Sequence, residues 1–471
     1  MFRFQSILLA ISALAIGAAF SGCRASNQLG AINQAGNSSV VLAITDTPPS
    51  NVSILSAEVT LTGATFTPGN VPLFSGSTRV ELTRLQTDIA YLATATNIPA
   101  GSYVGVTLTF SNPILTIEND TASAIGGCAI GSICTIAPTS TSNLSTTASL
   151  QLVPIAANSV SGILIDVNLD NLLSATLGAD FKNSVSVSSF TPASTGAPLV
   201  GAEDVVGQIA SVDSTHNAFS FQNATGSFTL AVDGASKFFQ FPTGVCTTSG
   251  FACLKVNQIL SVDIGIRADG TPVARNILFE DADISDAEIE GMITSTNVGS
   301  QQFTIVTLAE SAAVSGLQIG DEATVHYVAV PLTPFDIDFL HADSAPVSTG
   351  TLLFTAPADL SVGQQVSIRR NSNSLGTTIN ADRIRLRSTR VAATVSNVGS
   401  PNFFLTSLPF IYTGHSISTI EVQVPTSAIL SDENNNAIPF SGIVNVVAAR
   451  GALFNVAGQR TLVATKVALQ P

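Results

Sequence analysis

One hairpin signal recurs at fixed intervals along the chain. Asp213, Asn297 and Asn397 each open a turn after an alternating stretch ("VVGQIASVD", "IEGMITSTN", "RVAATVSNV"), and Phe219, Phe303 and Phe403 each follow six residues later. The spacing is 84 from first to second copy (213 to 297, 219 to 303) and 100 from second to third (297 to 397, 303 to 403). Agreement at both the turn and the aromatic means that one supersecondary unit is written three times, so this half of the chain must be an array of small similar domains.

Each unit continues with a central strand, "FTLAVDGASKF", "ATVHYVAVPLTPF" and "IEVQVPTSAIL". A second half follows, "LKVNQILSVDI", "LSVGQQVSIRR" and "FSGIVNVVAAR", and the units close at Ala274 to Ile277, Ala381 to Ile384 and Ala464 to Val467. Five or six short strands in roughly 80 to 100 residues predict a small closed or partly closed barrel of oligonucleotide/oligosaccharide-fold type, closure protecting strand edges. The composition agrees: 45% hydrophobic and only 11% charged residues is strand-and-turn material. The predicted repeats are 203–285, 286–388 and 389–471.

The segment before the repeats, 39–198, carries its own alternating stretches. "SVVLAITDTPPSNVSI" gives two strands about a rigid Pro48–Pro49 bend, "NIPAGSYVGVTLTF" a turn and a strand, and "SGILIDVNLDNLL" a strand with Ile165, Val167 and Leu169 on one face. An antiparallel β-sandwich is the simplest container, and the fold class expected is all-β, a sandwich followed by three tandem barrels.

Two resemblances cover most of the chain. "LAITDTPPSNV", "VELTRLQTDIAYLATATNIPAGSYVGVTL" and "GILIDVNLD", within about Ser39 to Pro192, resemble a bacterial lipoprotein domain known only as domain of unknown function 4382. Gly207, Gly291, "VGQQV" at Val362 to Val366 and the closing "A-x-x-I" motifs resemble domain of unknown function 5666, a repeat found in tandem in similar surface lipoproteins. The third copy departs most, with Ala392 near the first glycine and no "VGQ". The resemblance implies an architecture and a location and no activity.

The N-terminus reads as an export signal: Arg3, then an apolar run from Ile7 to Phe20 too short to span a bilayer of about 30 Å comfortably. "AFSGC" resembles a lipobox, with Phe20 where that pattern prefers Leu, and implies cleavage after residue 22 and a diacylglycerol on Cys23. An ordinary secretory signal with a chance cysteine is the alternative. Arg24 in place of a retention-signal Asp implies the outer membrane, and the polar stretch 23–38 reads as a tether of about 20 Å as a coil. Setting Cys23 aside leaves two local pairs, Cys128 with Cys134 and Cys246 with Cys253, each spaced for a loop disulfide worth roughly 2 kcal/mol. A four-cysteine metal site is the competing account, and the spacing and the lack of a nearby His oppose it.

Net charge is −14 with only 18 Lys and Arg, which leaves no basic face and argues against nucleic acid as a partner. His216, His326, His341 and His415 are isolated, and no nucleophile, zinc or phosphate-loop motif occurs, so no catalytic residue, metal or cofactor is expected. Asp166, Asn168 and Asp170, and Asp432, Asn434 and Asn436, have the two-residue spacing of calcium ligands, yet read better as a solvated strand face and a hairpin tip. The acidic run Glu280, Asp281, Asp283, Asp286, Glu288 and Glu290 reads as an extended spacer, and Asp336, Asp338, His341 and Asp343 as a loop insertion.

The chain is thus expected to be a lipid-anchored, non-enzymatic envelope protein, structural or adhesive, whose three barrels form a stalk. Its partner is the membrane. The alternative is a module for a glycan or protein partner, which the absence of Trp and the presence of only four Tyr weakens for sugars. An integral outer-membrane barrel, suggested by a mean hydropathy of +0.42, lacks the aromatic girdles.

Overall fold

Every barrel closes through the same pairings. The computed structural model describes residues 33–47, 53–87, 89–124, 127–136, 144–172, 181–192, 205–223, 226–244, 246, 250–282, 288–311, 314–337, 352–371, 373–432 and 437–470. Cys23, the signal segment, Asp338, His341, Asp343, Asp283, Asp286, Asn434 and Asn436 lie outside them.

The six strands of the first barrel are Val205–Asp213, Ala218–Asn223, Gly226–Ala231, Lys237–Phe239, Ile259–Ile266 and Pro272–Asp281. Those of the second are Glu288–Asn297, Gln302–Glu310, Glu322–His326, Phe335–Ile337, Gln365–Arg370 and Thr378–Leu386. The third has Ser388–Gly399, Asn402–Thr406, Ile420–Gln423, Ile429–Ser431, Val446–Val456 and Gln459–Leu469. In all three the spatial order is third, second, first, fifth, sixth, fourth, and a parallel pairing of the third with the sixth shuts a five-strand ring. This is the pairing scheme of the expected small barrel.

The repeated residues have specific jobs. Phe219, Phe303 and Phe403 are fully buried in their barrel cores. The closing "A-x-x-I" motif puts two inward residues three apart, which a regular strand cannot do. A β-bulge accounts for it: Arg275, Asp382 and Thr465 are each skipped in the ladder between strands five and six, so Ala274 and Ile277, Ala381 and Ile384, and Ala464 and Val467 all point inward.

Identical letters do not give identical turns. In the first two barrels Asp213 and Asn297 accept backbone N–H groups of the turn, and Asn217 (φ 47°) and Gln301 (φ 54°) take the left-handed position. The third barrel has Pro401 there, whose ring forbids positive φ, so Asn397 turns left-handed instead (φ 48°) and the strand runs on to Gly399. The turn before strand five holds a left-handed residue in every copy, Asn257 (φ 74°) and Gly363 (φ 84°) two positions before the strand and Asn445 (φ 58°) one position before it.

The strand-one glycine answers to a neighbour. A Cβ on Gly207 would stand 2.6 Å from Gln222 O, and on Gly291 2.7 Å from Val306 O. In the third barrel strand two ends at Thr406 and pairs with neither Val391 nor Ala392, which removes the need for glycine.

The N-terminal domain is an eight-stranded sheet folded over one core. Its long strand Ala90–Glu118 serves both halves, pairing first with Asn33–Thr47 and then with Ser53–Thr67 and Ser145–Ile155. Asn33–Thr47 also pairs in parallel with Val160–Asn168, the one parallel ladder in this otherwise antiparallel domain among the described residues. The strand begins at Asn33, so the end of the stretch expected to be tether is ladder instead, because backbone bonds to Ile98 and Ala100 need no apolar side chains. Val40, Val41, Leu42, Ala43 and Ile44 are buried on both faces, since the Gly270 turn of the first barrel covers Val41 from outside.

The expected stalk is corrected here, because the barrels pack on one another and on the N-terminal domain. Ala452, Phe454 and Val463 of the third barrel join the core of the second, and Leu55, Val306 and Val362 join the core of the third. Outward side chains were large and apolar enough to make interfaces, and isolated barrels would have left them wet. The first barrel keeps a core of its own.

Candidate functional site

The densest chemistry in the protein is an ionic joint between the bodies. "DRIRLR" sets Arg383 and Arg385 two apart on strand six of the second barrel, hence on one face, with Arg387 two further on, just past the strand's end. Glu280 ends strand six of the first barrel, and Glu288 and Glu290 alternate on strand one of the second.

These meet in the interior. Glu280 accepts from Arg383 (3.1 Å), Arg385 and Arg387 (3.2 Å). Glu288 accepts from Arg383 and, at 2.5 Å, from the Ser367 hydroxyl. Glu290 bridges Arg387 (3.0 Å) and Arg84 of the N-terminal domain (2.8 Å), while Arg387 also donates to Ser261 Oγ of the first barrel (2.8 Å). Arg369 reaches Asp281 (3.1 Å) and Arg385 reaches Asp336 (2.9 Å). Glu280 is only 3% exposed and Arg387 only 3%. Burial pushes the Glu280 carboxyl up to about 7 against the pull of Arg385 and Arg387.

Two expectations are corrected by this arrangement. The acidic run is no spacer where it is described: Glu280, Glu288 and Glu290 are buried and paired, because alternating arginines about a hundred residues away face them. Asp336, expected in a loop insertion, lies instead on strand four of the second barrel and pairs with Arg385. Sequence reasoning missed the arginines, although three at period two in a chain with 18 cations was the available signal.

The other sequence candidates are local. Asp166 accepts from Thr47 Oγ1 (3.1 Å to each oxygen) and burial raises its carboxyl, while Asn168 Oδ1 caps Asn171 N–H (3.1 Å). His216 pairs with Asp213 on an exposed turn (2.7 Å), and the His415 ring lies 3.1 Å from Ile411 O. Cys128 and Cys134, with Cα atoms 5.8 Å apart, and Cys246 and Cys253, at 5.2 Å, stand at disulfide distance in the expected pairs. Among the described residues no group of three or more His, Cys, Asp or Glu could hold a metal ion, and no helix is long and apolar enough to cross a membrane.

Further contacts tie the bodies together. Thr94 Oγ1 donates to Gly270 O (2.7 Å), Thr116 Oγ1 to Gly320 O (2.6 Å), Ser53 Oγ accepts from Phe410 N (2.9 Å), and Lys466 donates to Thr87 O. Between the second and third barrels Gln364 Nε2 donates to Leu453 O (2.9 Å) and Tyr412 Oη to Gly363 O (3.2 Å). Chemically, the arrangement fixes orientation: each carboxylate of the joint faces an arginine.

No family model matches the chain, and no curated protein matches it. Among solved structures it is similar to a chain described as a multidomain protein with nucleic acid binding domains from Streptococcus pneumoniae. Identity is 11%, coverage 55% of this chain and 72% of that one, and the TM-score 0.11. One expectation is corrected on this finding: the exclusion of nucleic acid as a partner does not stand, since the similar chain is described by nucleic acid binding domains. Low charge density bars nonspecific phosphate binding only, and a TM-score of 0.11 argues for no ligand.

Proposed function

We propose that the protein is a non-catalytic structural or adhesive module of the cell envelope, presented as a rigid block and held by a lipid on Cys23. The observation that carries the reading is the ionic joint, in which residues of the first barrel, the second barrel and the N-terminal domain share one buried network. Burying so many charges adds little net stability but penalises every arrangement that leaves one unpaired, which suits a part whose shape is its use. The resemblance to the two uncharacterised lipoprotein families, the lipobox-like "AFSGC" and the two loop cysteine pairs support an exported location.

The test is fractionation of cells carrying the full chain or Cys23→Ala. Loss of the substituted protein from detergent-extracted membrane, with retention of the parent there, supports the reading. Equal partitioning of both contradicts the anchor.

A further inference from the structure

Beside the joint, where the N-terminal domain, the first barrel and the second barrel converge, lies a cavity of about 140 Å³. Its wall is mostly apolar: Leu85 and Tyr91 from the N-terminal domain, Phe228 and Ile264 from the first barrel, Leu308 and Ala309 from the second, while the lining Glu81 and Arg84 are engaged by Ala57 N–H and Thr83 and by Glu290. Ser227, exposed, and Asn223 and Arg79 supply polar groups at its edge. Three other hollows among the described residues differ. Those beside Gly291 and Met292 are about 10 and 50 Å³. The open depression against Arg369, Arg383 and Arg385 is matched by Glu280, Asp281 and Asp336 and has no charge left over for an anion.

Protein interiors are close-packed, and an apolar hole of about 150 Å³ stays dry and takes up a ring the size of benzene. Here the hole is partly open, and two half-buried aromatics from different bodies, Tyr91 and Phe228, flank it and can stack on a flat guest. Sugars and free charged groups are poor occupants, because they would lose hydration against Leu85, Ile264 and Leu308 with too few partners in return.

We propose that this cavity is a binding site for a small, uncharged, largely apolar ring compound with one hydrogen-bonding group directed toward Ser227 and Asn223. A guest there touches all three bodies, so it stabilises their assembled arrangement. The inference does not depend on the scaffold reading, and its test is read without any membrane.

Indole is the probe, titrated into the chain from Asn27 onward while saturation-transfer NMR and thermal melting are followed. Saturable binding is expected, together with a melting temperature that rises with indole concentration. Ala309→Leu, which fills the hole, is expected to weaken indole at least about tenfold while leaving the indole-free melt equal or higher. Val205→Phe serves as a second filling variant should Ala309→Leu fold poorly. Signal that does not saturate, or equal affinity in a well-folded filling variant, overturns the proposal.

Discussion

Glu310 shows how one buried group ties stability to pH. Its Oε2 accepts the Val314 N–H (3.3 Å), its Oε1 has no partner among the described residues, and burial lifts its carboxyl from 4.5 to about 7. A carboxyl raised in the folded state favours folding when protonated, so its contribution is complete below about 4.5 and is lost as pH rises through about 7. Glu310→Gln keeps the acceptor for Val314 and removes the charge. The substitution should stabilise the protein by about 1 kcal/mol at pH 8, after allowance for solvent screening, and by almost nothing at pH 4. Denaturant titrations at the two pH values check this, and an equal effect at both refutes the assignment. The ionic joint predicts the opposite sign at neutral pH: Glu280→Ala takes one carboxylate partner from each of Arg383, Arg385 and Arg387, leaves the joint with excess buried positive charge beside Glu288, Glu290 and Asp336, and should cost about 3–5 kcal/mol. A loss under 1 kcal/mol in the same titration would mean that solvent enters the joint.

The repeat was legible at the scale of elements because its signals are local. Turn residues, a core phenylalanine and a bulge all act within a few positions, so spacing alone located three barrels and their closing strands. What spacing could not show was which turn each copy makes. Pro401 in place of Gln301 moves the left-handed residue to Asn397, and the third copy places its left-handed Asn445 one position nearer strand five than Gly363 stands in the second. Gly363 is the sharpest element-scale constraint: its φ is 84°, and an added Cβ would collide with the Tyr412 ring of the third barrel. Gly363→Ala should therefore cost about 2–4 kcal/mol, whereas Asn445→Gly should change stability by less than about 1 kcal/mol. Thermal unfolding of both variants separates a need for the backbone angle from a need for the missing side chain. The charged joint stayed hidden for the complementary reason. "DRIRLR" and the acids it faces are each ordinary alternating surface patterns, and only tertiary contact about a hundred residues apart makes them interior.

At the scale of the whole molecule, outward faces decide whether repeats become a stalk or a block. The second and third barrels share apolar cores, while the first keeps its own core and is held by the Glu280 joint and the Gly270 turn. The first barrel should accordingly be the first to come loose. Hydrogen exchange should show its amides exchanging before those of Gln365–Arg370 and Val446–Val456, and Glu280→Ala should widen that gap. Uniform exchange across all three barrels would argue against this order. The central claim, that the domains form one block, is tested most directly by small-angle scattering from the chain beginning at Asn27. A compact arrangement gives a radius of gyration of about 22–25 Å for this length. A value above about 30 Å, as four domains in a line would give, contradicts it.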